Sequence, residues 1–270
     1  MLATTDLAPA IGTEIRADLD TLLGGSHAAA LRDLLERRGV LVFPALDLSR
    51  EQQVAFARTL GDIVGQGENG IFKVTLDPRE NVVADYLRGA FYWHIDGAMD
   101  DVPTRASLLT ARTLSDSGGE TQFANTYAAY DALPEAERET LDQLRVVHSF
   151  ESAQMMVYPE VSHADLLKWR AIYAPKVHPL VWRHRSGRRS LVLGASASHV
   201  EGMAYQEGRD LLRRLRDWAT QPRFVYQHSW TVGDLVIWDN TGTMHRVTPY
   251  ALDSGRMMHR TTLVGEEVLA

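Results

Sequence analysis

Two short stretches, far apart in the chain, carry residues whose types and spacing could hold a metal. The first is W-H-I-D-G, with His94 and Asp96 two residues apart. On an extended strand, side chains at that spacing leave the same face, so an imidazole and a carboxylate would converge on one point. A His-x-Asp triplet alone is common. The second stretch, G-D-L-V-I-W-D-N-T-G-T-M-H-R, begins as an apolar strand, turns after W-D-N and reaches His245. Two histidines and one carboxylate make the facial triad of non-haem Fe(II) oxygenases, which leaves three coordination positions open. Zinc hydrolases can use the same ligand types, so the triad by itself does not choose the metal.

Two arginines downstream of His245 narrow the choice. Arg256 and Arg260 lie in G-R-M-M-H-R-T-T-L, a segment that reads as a strand. A guanidinium carried into a core is costly unless it meets an anion. A dicarboxylate chelating the metal at one end would offer its far carboxylate to such a group as a bidentate pair. The segment S-D-S-G-G-E-T adds a glycine turn followed by a hydroxyl donor, Thr121.

These residues need a scaffold of strands, and the pattern supplies one. Leu31, Leu34 and Leu35 share a helical face between His27 and Arg38, ahead of the buried strand G-V-L-V-F-P. Ser49, followed by Glu51 and Gln52, reads as a helix start. Beyond Gly61 the chain turns to many short strands, such as R-A-S-L-L-T-A-R-T-L, S-L-V-L-G and D-L-V-I-W-D, broken by glycine and proline. Two helices are expected among them, at Pro134 to Leu144 and Gln206 to Ala219. The run R-H-R-S-G-R-R, Arg183 to Arg189, reads as a solvated hairpin turn. Helices around many short strands point to a mainly β fold, a sandwich or barrel of the jelly-roll type. With no repeat or linker, residues 1–270 read as one domain, with a helical N-terminal part of about sixty residues packed on the barrel.

Composition bounds the chemistry. The chain has 270 residues, 45% of them hydrophobic, which suffices for a sizeable core. There is no cysteine, so disulfides and thiolate ligands are excluded and any metal must rest on His, Asp or Glu. A formal net charge of −7 argues against nucleic acid as a partner. The first residues lack the basic and long apolar regions of a signal peptide, and no apolar stretch approaches membrane-spanning length. A soluble cytoplasmic enzyme without membrane partners is expected; whether it forms a homo-oligomer is left open.

The motifs W-H-I-D-G, G-G-E-T, V-G-D-L-V-I-W-D-N, M-H-R and R-M-M-H-R-T-T together resemble the taurine dioxygenase and 2,4-dichlorophenoxyacetate dioxygenase family. R-G-V-L-V-F, S-R-E-Q-Q-V-A-F-A-R, G-A-S-A-S-H-V-E-G-M and A-T-Q-P-R-F-V-Y-Q-H bring the chain closer to the herbicide-degrading branch. The resemblance spans about Arg38 to Glu266. It implies a double-stranded β-helix, a cupin-like jelly-roll barrel, binding Fe(II), 2-oxoglutarate and dioxygen. His94, Asp96 and His245 become the iron ligands. Arg260 becomes the partner of the far carboxylate of 2-oxoglutarate, assisted by Thr121 and Arg256. Lys73, in G-I-F-K-V, falls where that branch has a lysine that meets the substrate carboxylate, and His199, in S-H-V-E-G, could line the pocket. The implied reaction hydroxylates a small organic anion, an aryloxyalkanoate, N-substituted amino acid or sulfonate, with release of succinate and CO2. Where the hydroxylated carbon bears a heteroatom, the product can cleave. The stretch from Lys73 to His94 is shorter than in the herbicide branch, which bears on the substrate. A metal-dependent hydrolase or isomerase, or a non-catalytic ligand-binding barrel, stays open beside this reading.

Overall fold

The computed structural model describes residues 2–158 and 160–269. Its centre is a seven-stranded sheet in the order Ala3–Asp6, Thr13–Arg16, Val40–Phe43, Leu235–Asp239, Ala106–Thr113, Met257–Thr262, Phe72–Val74. Against it lies a three-stranded sheet, Val225–His228, Thr121–Asn125 and Thr243–Val247. The two sheets form the jelly-roll barrel, and helices flank it.

Strand alternation explains why the central strands are apolar without a break. Val40, Val42, Val236, Trp238 and Leu109 face inward and pack with Phe123 of the small sheet. Leu41, Phe43, Leu235, Ile237 and Leu108 face outward and pack with Leu31, Leu35, Phe56 and Leu60 from two covering helices. Strands buried on both faces lose the polar alternation of a half-exposed sheet. The two helices are Ala28–Arg38 and Arg50–Leu60, close to expectation. Ser49 and Gln52 form the capping box that starts the second, satisfying backbone N–H groups at its end. Within that helix Gln53 is fully buried and its Nε2 donates to the His259 carbonyl at 3.0 Å, tying the helix to the inner strand Met257–Thr262.

The structure departs from the sequence reading in two places. The first sixty residues are not purely helical, because Ala3–Asp6, Thr13–Arg16 and Val40–Phe43 join the large sheet. Beyond the helices Glu135–Leu141 and Tyr205–Ala219, the chain also forms Thr126–Asp131, Phe150–Val157 and His163–Ile172, and a 3-10 helix at Ala84–Phe91. The helices at 150 and 163 are short, and little of their apolar surface enters the core. Each buries only one residue, Gln154 and Trp169 respectively. The basic run forms the hairpin of Val181–Arg183 with Arg189–Leu191. Among the described residues no helix is long and apolar enough to cross a membrane.

Candidate active site

His245 lies on Thr243–Val247, and its backbone exchanges both hydrogen bonds with His94, at 3.0 and 2.9 Å. His94 and Asp96 do not belong to a regular strand: His94 forms an isolated bridge, Asp96 begins a turn, and the Trp93 carbonyl beside them accepts from the Ala195 N–H at 2.8 Å. The two side chains nevertheless converge as the spacing required. Asp96 Oδ1 is 3.9 Å from His94 Nε2, and Asp96 Oδ2 is 3.9 Å from His245 Nε2. One donor atom from each of the three residues lies within 4.8 Å of the others. Gly194 lets a neighbouring loop reach this point, since a Cβ there would come within 3.0 Å of the His94 Cα.

The surroundings fit a divalent metal. His94 Nδ1 lies 2.8 Å from the Tyr92 carbonyl, which selects the tautomer with a proton on Nδ1 and frees Nε2 for a metal. Burial, joined by the nearby His94, pushes the His245 pKa well down, so its ring is the neutral form a ligand must be. Burial pushes the Asp96 carboxyl up, yet the Arg260 guanidinium, joined by the Ser107 hydroxyl that donates to it, holds the group below the ordinary carboxylate range. Two neutral imidazoles and one ionised carboxylate are the donor set of the facial triad. A supporting chain runs from Asp96 to the Ser107 hydroxyl (3.0 Å), then to Asn240 Nδ2 (3.1 Å), whose Oδ1 accepts from Trp238 Nε1 at 2.8 Å.

The triad opens on a cavity of about 390 Å³ whose wall includes Thr121, Trp238, Arg256 and Arg260. Thr121 is buried, and its hydroxyl accepts from Trp230 Nε1 at 2.9 Å. Arg256 is 3% exposed, lies over the Tyr250 ring and donates from Nη2 to the Gly119 carbonyl at 3.1 Å. Its Nε has no partner, and among the described residues no carboxylate comes within ion-pair reach of it. Gly119 has a φ of +84°, and a Cβ there would stand 3.0 Å from Arg256 Nε, so the G-G-E-T turn is what admits the guanidinium. Arg260 lies over Phe72 and donates from Nη1 to Asp96 Oδ2 at 3.3 Å; its Nε is also without a partner. The two arginines therefore differ: one is compensated by a metal ligand, the other is a buried cation without a counter-charge.

Two expected residues fall elsewhere. Phe72 and Val74 turn toward the site, so strand alternation sends Lys73 to the opposite face, where its Nζ pairs with Glu80 at 2.7 Å. His199 lies past the lining residue Ser196, hydrogen bonded to the Ser198 hydroxyl at 3.1 Å and 5.2 Å from the Tyr205 ring. Neither lines the cavity. Residues that the sequence reading passed over do: Gln154, Phe150, Tyr173, Tyr86 and Tyr250. No motif marks them, because they come from helices and turns that only packing brings together.

A jelly-roll barrel with a two-histidine, one-carboxylate corner and cationic side chains in its mouth defines a non-haem metal oxygenase site. The model of the "Taurine catabolism dioxygenase TauD, TfdA family" matches residues 3–262, and the chain belongs to that family. It is 37% identical, over 93% of either chain, to the alpha-ketoglutarate-dependent 2,4-dichlorophenoxyacetate dioxygenase of Cupriavidus pinatubonensis. To the alpha-ketoglutarate-dependent sulfate ester dioxygenase of Pseudomonas putida it is 33% identical, over 96% of this chain and 88% of the other. Its fold superposes on AAD-2, solved with Mn(II) and N-oxalylglycine, with a TM-score of 0.86 and 33% identity over the whole of both chains. The chain is thus a 2-oxoglutarate-dependent dioxygenase requiring Fe(II), 2-oxoglutarate and dioxygen, which sets aside the hydrolase, isomerase and binding-barrel alternatives.

Proposed function

We propose that the chain hydroxylates a small organic anion with an apolar, aryl-sized body, converting 2-oxoglutarate to succinate and CO2 as it does so. The observation that carries this reading is the pairing of two different arginines with an aromatic chamber. One oxygen atom of dioxygen enters the substrate as hydroxyl and the other enters succinate. If the hydroxylated carbon bears an ether or sulfate oxygen, the product collapses and that bond breaks. The relatives named for 2,4-dichlorophenoxyacetate and for sulfate esters are both named for organic anions, and the first of these carries an aryl body.

Iron, once bound by His94, Asp96 and His245, supplies the oxidation; the other side chains bind and orient. Arg256, buried without a counter-charge, and Thr121 receive the far carboxylate of 2-oxoglutarate. That reverses the order expected from the motifs, which favoured Arg260. A buried guanidinium lacking an anion has the larger demand for one, and Arg260 already faces Asp96. Arg260 is then left, at the edge of the metal corner, for the anionic group of the substrate. Lys73 has no part in this. Tyr86, Leu87, Phe150 and Tyr173 enclose the apolar body.

The test is a screen for succinate release and oxygen uptake with Fe(II) and 2-oxoglutarate. It spans aryloxyalkanoates, N-substituted amino acids, sulfonates and sulfate esters, with neutral aryl ethers as controls. At least one aryl anion should couple succinate to hydroxylated or cleaved product one for one. Turnover stimulated by the neutral ethers alone would sink the anion assignment.

A further inference from the structure

Thr121 lies on the middle strand of the small sheet, paired with His228 on one side and Val247 on the other. Trp230, two residues past His228, brings its indole N–H back to Thr121 Oγ1 at 2.9 Å. An indole nitrogen can only donate. The threonine oxygen is therefore an acceptor in that bond. Among the described residues the hydroxyl's own hydrogen meets no acceptor, although Thr121 is 4% exposed and forms part of the cavity wall. A free threonine hydroxyl could present either a lone pair or its hydrogen to the cavity, and a lone pair would repel a carboxylate.

We propose that Trp230 is a positioning residue for the cosubstrate: by occupying a lone pair of Thr121, it turns the hydroxyl hydrogen toward the carboxylate of 2-oxoglutarate. This rests on the reading above that Thr121 and Arg256 hold that carboxylate. Trp230 does not line the cavity, so it acts through Thr121 alone. Its own place is well determined. The indole meets the His228 ring edge to face, with centroids 4.5 Å apart. His228 is held between the Tyr226 hydroxyl and Asp234 Oδ2, each at 3.1 Å. Asp234 in turn accepts from the backbone N–H groups of Ala45 at 2.9 Å and Thr231 at 2.8 Å. The acid of V-G-D-L-V thus anchors the turn that presents the indole, and a buried polar chain whose members are satisfied fixes one arrangement.

Trp230→Phe removes the N–H and keeps an aromatic ring; Thr121→Val removes the hydroxyl and keeps the branched shape. The readouts are anaerobic titration of the Fe(II) protein with 2-oxoglutarate, followed by its charge-transfer absorption, and the upward shift in Tm that 2-oxoglutarate produces. Trp230→Phe should raise the Kd for 2-oxoglutarate about 3- to 10-fold, the range of one neutral hydrogen bond. Its kcat at saturating cosubstrate should stay within about twofold. In the Thr121→Val background the same change should add nothing, as expected of residues acting through one bond. If Thr121→Val weakens 2-oxoglutarate and Trp230→Phe does not, the positioning role falls while the reading of Thr121 stands. If Thr121→Val is itself without effect, both fall. Equal losses from Trp230→Phe in the two backgrounds would show general damage and overturn the inference.

Discussion

The cavity has two walls of different construction. One is made of strands and their ends: Thr121, Trp238, His245, Val247 and Arg260 project from barrel strands, and Arg256 stands just before Met257–Thr262. Trp238, Thr121 and Arg260 sit on strands paired on both sides, and His245 is paired with Phe123 and bridged to His94. The polar groups near the metal corner are tied into chains such as Asp96–Ser107–Asn240. The other wall is made of the 3-10 helix Ala84–Phe91 and the helix Phe150–Val157, backed by the helix His163–Ile172, whose C-cap Tyr173 reaches the cavity. These hold chiefly to each other. Phe150 packs on Tyr86 and Tyr173 with ring centroids 5.5 and 5.6 Å apart, and Arg170 grips Glu151 at 2.6 Å. Large apolar side chains remain exposed there, including Met155 at 48% and Leu167 at 54%. Elements with so few buried contacts open locally at low cost. The strand wall is therefore suited to chemistry that tolerates no displacement, and the helical wall to admitting and selecting a substrate.

The largest expected effect lies in the strand wall. His245→Ala should abolish the charge-transfer absorption of the anaerobic Fe(II)–2-oxoglutarate complex, since two ligands hold iron poorly. An absorption of normal intensity in that variant would break the assignment of the triad. Next comes the split between the arginines. Arg256→Ala should raise the KM for 2-oxoglutarate roughly 30-fold to several-thousand-fold, the loss of a charge-assisted pair of about 2–5 kcal/mol. Arg256→Lys should recover part of it, a point charge replacing a fork. Arg260→Ala should act mainly on the KM of the anionic substrate. The opposite pattern would return Arg260 to the cosubstrate.

In the helical wall the effects should be smaller and confined to substrate. Phe150→Ala removes apolar surface worth about 1–3 kcal/mol, so the substrate KM should rise roughly 5- to 150-fold. The 2-oxoglutarate KM should hardly move; parallel shifts in both would show that the walls are not separable. The smallest effect is on acid stability. His148 precedes Ser149, the cap of Phe150–Val157, and hydrogen bonds the Ser196 hydroxyl at 2.9 Å. Burial, with His178 nearby, pushes its pKa down to about 3, against about 6.5 in the unfolded chain. The native state holds this ring neutral, so the unfolded state binds the extra proton on acidification. Its stabilisation is complete above pH ~6.5 and is lost as pH falls toward the folded value, at most about 1.4 kcal/mol per pH unit. Tm measured between pH 7.5 and 5 should fall less steeply in His148→Gln than in the parent. Identical slopes would remove His148 as the acid-sensitive joint of the helical wall.

Much of the strand wall could be read from the chain alone. His94, Asp96 and His245 needed only residue type and motif, because metal ligands are few in kind and the spacing of two puts an extended pair on one face. The covering helices 28–38 and 50–60 and the apolar strands were legible from periodicity, and Gly119 from its place before Thr121. Tertiary structure alone decided the rest. Lys73 and Phe72 are neighbours in sequence, yet the pleat sends one to Glu80 and the other beneath Arg260. Arg256 and Arg260 look equivalent in a strand, and only the position of Asp96 shows which of them lacks a counter-charge. The helical wall was not legible, since its helices are short and their apolar side chains face the cavity, one another or solvent rather than a core. Local sequence encodes which face a side chain takes within its own element; what lies opposite that face is set by segments more than a hundred residues away, as His94 and His245 are.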